Sequence, residues 1–182
     1  MKKIVISRQK LDAARQESAD AVVALFVDAI NNAINSRLTV ETLAQINGDQ
    51  ATLLAYDIMR GEVMDGGFVQ LIHNGYGPFI FRNPFAKVVR GWSLTALAAL
   101  VNKGHKLYTL YHKEIEADCS DDEFMALFER FEQFDDLDDK FVENEEQWTA
   151  AVARYITENV ERFAAIEELS SDDAPANDER QE

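Results

Sequence analysis

The sequence predicts an all-α fold: a single compact multi-helix domain over residues 1–169, then a disordered acidic C-terminal tail over 170–182. Three observations carry this prediction. Apolar residues recur three and four apart through most of the chain, the spacing that gathers side chains on one helix face. Neither an apolar–polar alternation of the strand type nor an internal repeat stands out. Helix-start signatures stand ahead of the apolar runs, at Ser18, at Asn83-Pro84 and at Ser120. Of the 182 residues 47% are hydrophobic, with eleven Phe, two Trp and five Tyr, which is apolar surface enough for one core.

The first predicted helix spans 18–36, with Val22, Val23, Phe26, Ile30 and Ile34 inward and Ser18 or Asp20 as its cap. A short helix follows Thr39 and carries Val40, Leu43 and Ile46, and Asn47-Gly48 supplies its stop. Asp49 is placed to cap the next helix, which holds Leu53, Leu54, Tyr56 and Ile58 and runs to Arg60. Glycines 61, 66, 67, 75 and 77 and Pro78 crowd the following stretch, so residues 61–83 read as loops around a short helix over 68–73. Pro84 suits a first helical position, and its helix extends to Val101, disturbed at Gly91 and ended by Asn102-Lys103-Gly104. Another covers 105–117. Ser120 and Glu123 have capping-box spacing ahead of a helix with Phe124, Leu127, Phe128, Phe131 and Phe134 on one face. Asn144 and Gln147 open the last helix, which turns Trp148, Ala151, Val152, Tyr155, Ile156 and Phe163 inward. Beyond Leu169 no residue is a core former.

The net charge is −15, and it is unevenly placed. Residues 1–115 are net +3, residues 116–146 are net −12, and residues 167–182 are net −6. A chain this acidic repels phosphate backbones and anionic bilayers, which argues against direct binding of nucleic acid or membrane. The lone Cys119 excludes an internal disulfide and a multi-cysteine zinc site, and it points to a reducing compartment. The N-terminal apolar run is too short for a signal peptide, and no run approaches the ~20 residues of a spanning helix. A cytoplasmic protein is the expectation.

Catalytic and cofactor chemistry find no foothold. His105, His112 and Cys119 fall seven apart, and seven helical residues rise about 10.5 Å, far beyond the ~4 Å between ligands of one metal. A calcium loop begun at Asp136 has Lys140 at its fifth position and Phe141 where glycine is required. No phosphate-cradling glycine motif occurs in 61–83, and no nucleophile–base pair can be assigned. The reading is a non-enzymatic protein with no catalytic residue, no metal and no cofactor.

The acidic segment is the informative feature. As a single helix, 31 residues would span about 46 Å and present a carboxylate every ~3.3 Å, beside one phosphate per ~3.4 Å of a DNA strand. The candidate partner-binding residues are Asp118, Asp121, Asp122, Glu132, Asp135, Asp136, Asp138, Asp139, Glu143, Glu145 and Glu146. The Phe stripe anchors them to the core, and a rigid charge array binds at lower entropic cost than a mobile one. Asp135, Asp136, Asp138 and Asp139 form the densest cluster, and neutralising these four is expected to leave melting nearly unchanged.

The stretch Asp65-Gly66-Gly67-Phe68-Val69-Gln70-Leu71-Ile72-His73-Asn74-Gly75 resembles a bacterial all-helical family that includes a DNA-mimic protein. Members carry a similar Asn/Asp-Gly-Gly-Phe-x-Gln stretch, and Ala96-Leu97-Ala98-Ala99-Leu100 looks like their Ala-Leu-rich segment. The resemblance covers roughly residues 20–165. It departs at Asp65, where many members have Asn, and at His73-Asn74-Gly75, where an aromatic-Asn-Ser is common. What it implies is an acidic helical protein that occupies the DNA-binding surface of a basic protein, such as a transcription factor, nucleoid protein or nuclease. Read from its residues, the motif is a structural corner: Gly66 and Gly67 allow close approach or unusual backbone angles, Phe68 plugs the core, and Gln70 and Asn74 tie loop backbone beside Asp65. Two other functions stay open: an enzyme or small-ligand site near 65–83, and an immunity-type inhibitor of a toxin.

Overall fold

In the computed structural model, which describes residues 1–168, the elements in chain order are β1 (Val5–Ser7), α1 (Arg8–Glu17), α2 (Ala19–Ala33), α3 (Val40–Leu43), α4 (Gly48–His73), α5 (Gly77–Phe81), α6 (Phe85–Gly91), α7 (Thr95–Ile115), α8 (Asp121–Arg130), a 3-10 turn (Glu132–Phe134), α9 (Asp135–Glu158), α10 (Val160–Phe163) and β2 (Ala165–Glu167). The predicted tail over 170–182 lies outside the described residues. The fold is all-α, as the periodicity predicts. Four long helices make its body: α9 packs on α2, α4 and α7, while α5 and α6 close over α4 and α7.

The core is aromatic. Phe26, Tyr56, Phe68, Tyr108, Phe134, Phe141 and Phe163 are fully buried. Phe81 joins α4 to α7, its ring 6.2 Å from that of Phe68 and 5.0 Å from that of Tyr108. Burying one such side chain stabilises by about 1.5–3 kcal/mol, so this chain of rings is a main source of stability. Gly104 lets α7 come close, because a β-carbon there would lie 3.0 Å from the ring of Phe81.

Several boundaries differ from the sequence reading, each for a physical reason. Residues 8–17 form α1, capped by the Ser7 hydroxyl, which accepts from Lys10 N–H; only Leu11 and Ala14 are buried on it, too few to show a periodic stripe. Asn47 does not stop a helix but starts α4, in a capping box with Gln50. Asp49 is thereby released for other work: it accepts from the indole N–H of Trp92 at 2.9 Å. Helix α4 runs on through Gly61 to a kink at Gly66 and Gly67, since packing against α2, α5, α6, α7 and α9 outweighs the ~1 kcal/mol preference against glycine. By the same physics α7 is continuous through Gly104. The break at Gly91 is larger than a disturbance: α6 ends there, and Ser93 at φ 67° turns the chain into α7. The Ser120–Glu123 capping box forms as predicted, but α8 stops at Arg130, and Phe131 and Phe134 insert from the turn.

Two strands also form, of three residues each. They pair in parallel with Val5 opposite Ala165, and Ala165 N–H donates to Ile4 C=O at 2.9 Å. This pairing ties the first and last described elements together with Arg8–Glu168, at 2.7 Å. Three residues cannot show a period, so only the partner strand identifies them.

Candidate protein-binding surface

The acidic segment is not one helix. It comprises a loop over 116–120, then α8, the 3-10 turn and the first half of α9, so a linear carboxylate spacing does not describe it. What the structure offers is two helix N-termini rich in carboxylates. Asp121, Asp122 and Glu123 fill the first turn of α8, and Asp135, Asp136 and Asp138 that of α9. Both placements complement the positive end of the helix dipole, which stabilises by about 0.3–1 kcal/mol per charge. Glu123 accepts from Ser120 N–H at 2.8 Å, and that bond holds its carboxyl below the usual range.

Most of the predicted binding residues face solvent. Asp118, Asp121, Asp122, Glu132, Asp135, Asp136, Asp139, Glu143 and Glu146 are exposed. Beneath them Leu127, Phe131, Phe134, Leu137 and Phe141 are buried, and Phe124 and Phe128 are half-buried. Phe124 packs against His73 with ring centroids 4.5 Å apart, while His73 Nδ1 lies 2.8 Å from the carbonyl of Ile115. The carboxylates therefore stand on a packed base.

Glu145 is a correction. It is only 6% exposed, and its carboxylate accepts from Arg60 Nε and from the Thr149 hydroxyl, the latter at 2.8 Å. Tyr56 and Thr149 share a further bond of 2.7 Å, and Arg60 reaches Asp20 on α2. Burial pushes the Tyr56 phenol up to about 12. This network joins α2, α4 and α9 and leaves no charge of Glu145 at the surface.

Asp138 is a second correction. It is half-buried, and its Oδ1 accepts from the backbone N–H of Phe68 at 2.8 Å. Helix α4 restarts at Phe68 after its kink, so Asp138 caps that second half from another helix. Gly67, at φ 72°, lies directly under the carboxylate, and any β-carbon there would collide with it. Both conditions demand glycine. What the fold needs at Asp138 is the acceptor for the Phe68 N–H, so truncation of this side chain would disturb it where loss of the charge alone would not.

Burial raises the Asp138 carboxyl to about 7, aided by Asp135 and Asp139 and opposed by the Phe68 N–H. Its ordinary value is about 3.9, so the folded protein holds the proton more tightly than the unfolded chain between these values. Stability contributed here is present below pH ~4 and is lost as pH rises through ~7. Asp138→Asn keeps an acceptor for Phe68 without the charge. Its stability relative to wild type should rise from pH 4 to 7 in urea titrations at a series of pH values; parallel curves would contradict this.

The rest of the glycine motif gathers around Glu62. Gln70 Nε2 donates to Asp65 at 2.8 Å and to Glu62 at 3.2 Å, and Asn74 Nδ2 donates to Glu62 at 2.8 Å. The two amides hold carboxylates rather than loop backbone, as the sequence reading had it. Phe68 is fully buried. Elsewhere His105 stacks on Phe81, His112 Nδ1 meets the carbonyl of Tyr108 at 2.9 Å, and Cys119 is exposed in its loop. Among the described residues no helix is long and apolar enough to cross a membrane.

These features define a class: an all-α domain that exposes carboxylates along α8 and the start of α9. Comparison with known proteins narrows it. Residues 44–159 match the family described as DMP19-like protein, and the chain belongs to that family. It is 39% identical over 128 residues to the DNA mimic protein DMP19 of Neisseria meningitidis serogroup B (strain ATCC BAA-335 / MC58), an alignment that covers 69% of this chain and 77% of that relative.

Proposed function

We propose that the protein is a non-enzymatic DNA mimic that occupies the DNA-binding surface of a basic protein and keeps DNA from it. The observation that carries this reading is the exposed set Asp118, Asp121, Asp122, Glu132, Asp135, Asp136, Asp139, Glu143 and Glu146, seated on buried aromatic anchors. Fixed charges attract a cationic groove at long range and lose little freedom when they dock. The relative named for DNA mimicry supports the same reading. Glu145 and Asp138 belong to the scaffold of this face and not to its contact set.

The test begins with capture of partners from a bacterial lysate at low salt and release along a salt gradient. Asp135→Asn, Asp136→Asn and Asp139→Asn, combined, should weaken a captured DNA-binding protein several-fold and flatten the salt dependence of its binding. The fold should survive, because these side chains are exposed. Affinity indifferent to both salt and the substitutions would refute the electrostatic reading.

A further inference from the structure

Between Asp65 and Glu114 the chain carries no carboxylate side chain, yet it carries Arg82, Lys87, Arg90, Lys103, Lys106 and Lys113. All six are exposed, and the ion pairs among the described residues use other cations. In a protein of net charge −15 this segregation needs a reason. On α7, Lys103, Lys106, Leu110 and Lys113 follow one another at intervals of three, four and three residues, which places them along one helix face. That face is opposite the one on which Leu97, Gly104, Tyr108 and Ile115 are buried. The three lysines span about 15 Å of helix axis. Leu110, in their midst, is 68% exposed.

We propose that this outer face of α7 is a second docking surface, which takes an acidic amphipathic helix of a partner protein. Its carboxylates meet the lysines, and a large apolar side chain covers Leu110. Lysines with one apolar residue at helical spacing are the complement of such a helix. Beside the stripe, Lys103 and Lys140 edge a cleft of about 250 Å³ between α7 and α9, lined also by Leu100, Leu137 and Trp148, with room for a second apolar side chain. A nucleic acid is the poorer occupant on two counts. Duplex DNA brings a charge every ~1.7 Å toward an already acidic protein, and its phosphates make no use of Leu110. This surface does not rest on the mimic reading, because it uses none of the same residues.

The full chain is titrated with a fluorescent helical peptide in which glutamates flank one leucine, at low ionic strength. Lys103→Glu, Lys106→Glu and Lys113→Glu, combined, should weaken the peptide at least about tenfold, or ~1.4 kcal/mol. Leu110→Ala, and separately a peptide with alanine for its leucine, should each weaken it several-fold. Asp135→Asn, Asp136→Asn and Asp139→Asn should leave it unchanged or tighter, which separates this surface from the acidic one. Circular dichroism of the lysine variant should show an unaltered fold. Three results overturn the proposal: peptide affinity insensitive to the lysines, duplex DNA of equal charge bound as tightly as the peptide, or sedimentation showing that the lysine variant only dissociates a second copy of this chain.

Discussion

Phe68→Ala should lower the unfolding free energy by about 3–5 kcal/mol, the cost of emptying a site that cannot collapse. The ring is fully buried, 6.2 Å from Phe81 and 6.5 Å from Phe134 between centroids, and Gly104 brings the backbone of α7 close to it. The void would thus be walled by α4, α5, α7 and the 3-10 turn, and no one of them can move in without leaving another. Nor can the chain at Phe68 shift, because Asp138 holds its N–H and Gly67 fixes the turn before it. Each kcal/mol should move the melting temperature by about 2–4 °C in a domain of this size. Denaturant titration checks the figure. A variant that keeps its stability but loses partner binding would instead make the Gly-Gly-Phe stretch part of the binding surface.

Glu145→Ala is the second large effect, an expected loss of about 2–4 kcal/mol. It leaves Arg60 with Asp20 alone and takes the acceptor from the Thr149 hydroxyl, which also meets Tyr56. Removing one partner of a buried pair costs more than the pair contributes, since the other must then be buried without compensation. The figure lies below the range for fully enclosed pairs because Arg60 retains some contact with water. Affinity for the partner should not change, as this carboxylate reaches no surface. Its neighbour should behave in the opposite way. Glu146 is exposed, so Glu146→Ala should alter stability by less than ~0.5 kcal/mol while removing one charge from the acidic face. Thermal melts of the two variants side by side decide the matter; equal melting temperatures would contradict the burial assigned to Glu145.

The contrast between these adjacent glutamates shows where the sequence could be read and where it could not. Local chemistry was legible. The Ser120–Glu123 capping box, a helix start just after Pro84 and the helical class all rest on residues within a few positions of each other. Glycine misled in α4 and α7, because tertiary packing decides whether a helix continues through it, and packing is not a local property. Count of charge misled as well, since it treats every carboxylate alike. A finer signal was available: Leu137, Phe141, Glu145, Trp148, Val152 and Ile156 follow at intervals of four, four, three, four and four. That is one helix face, and it places Glu145 inside an apolar line. Nothing comparable announces that Asp138 meets the backbone of Phe68, a contact seventy residues away in the chain. The parallel pairing of β1 with β2 is non-local in the same way.

On the proposed function, carboxylates on α8 and α9 take the place of DNA phosphates on a partner. The most direct test is competition: a captured DNA-binding protein, held on its fluorescent duplex, is titrated with the full chain. The duplex should be released in proportion to protein bound, and Asp135→Asn, Asp136→Asn and Asp139→Asn together should shift the release to several-fold higher concentration. A ternary complex, with the duplex retained while the protein binds, would contradict it.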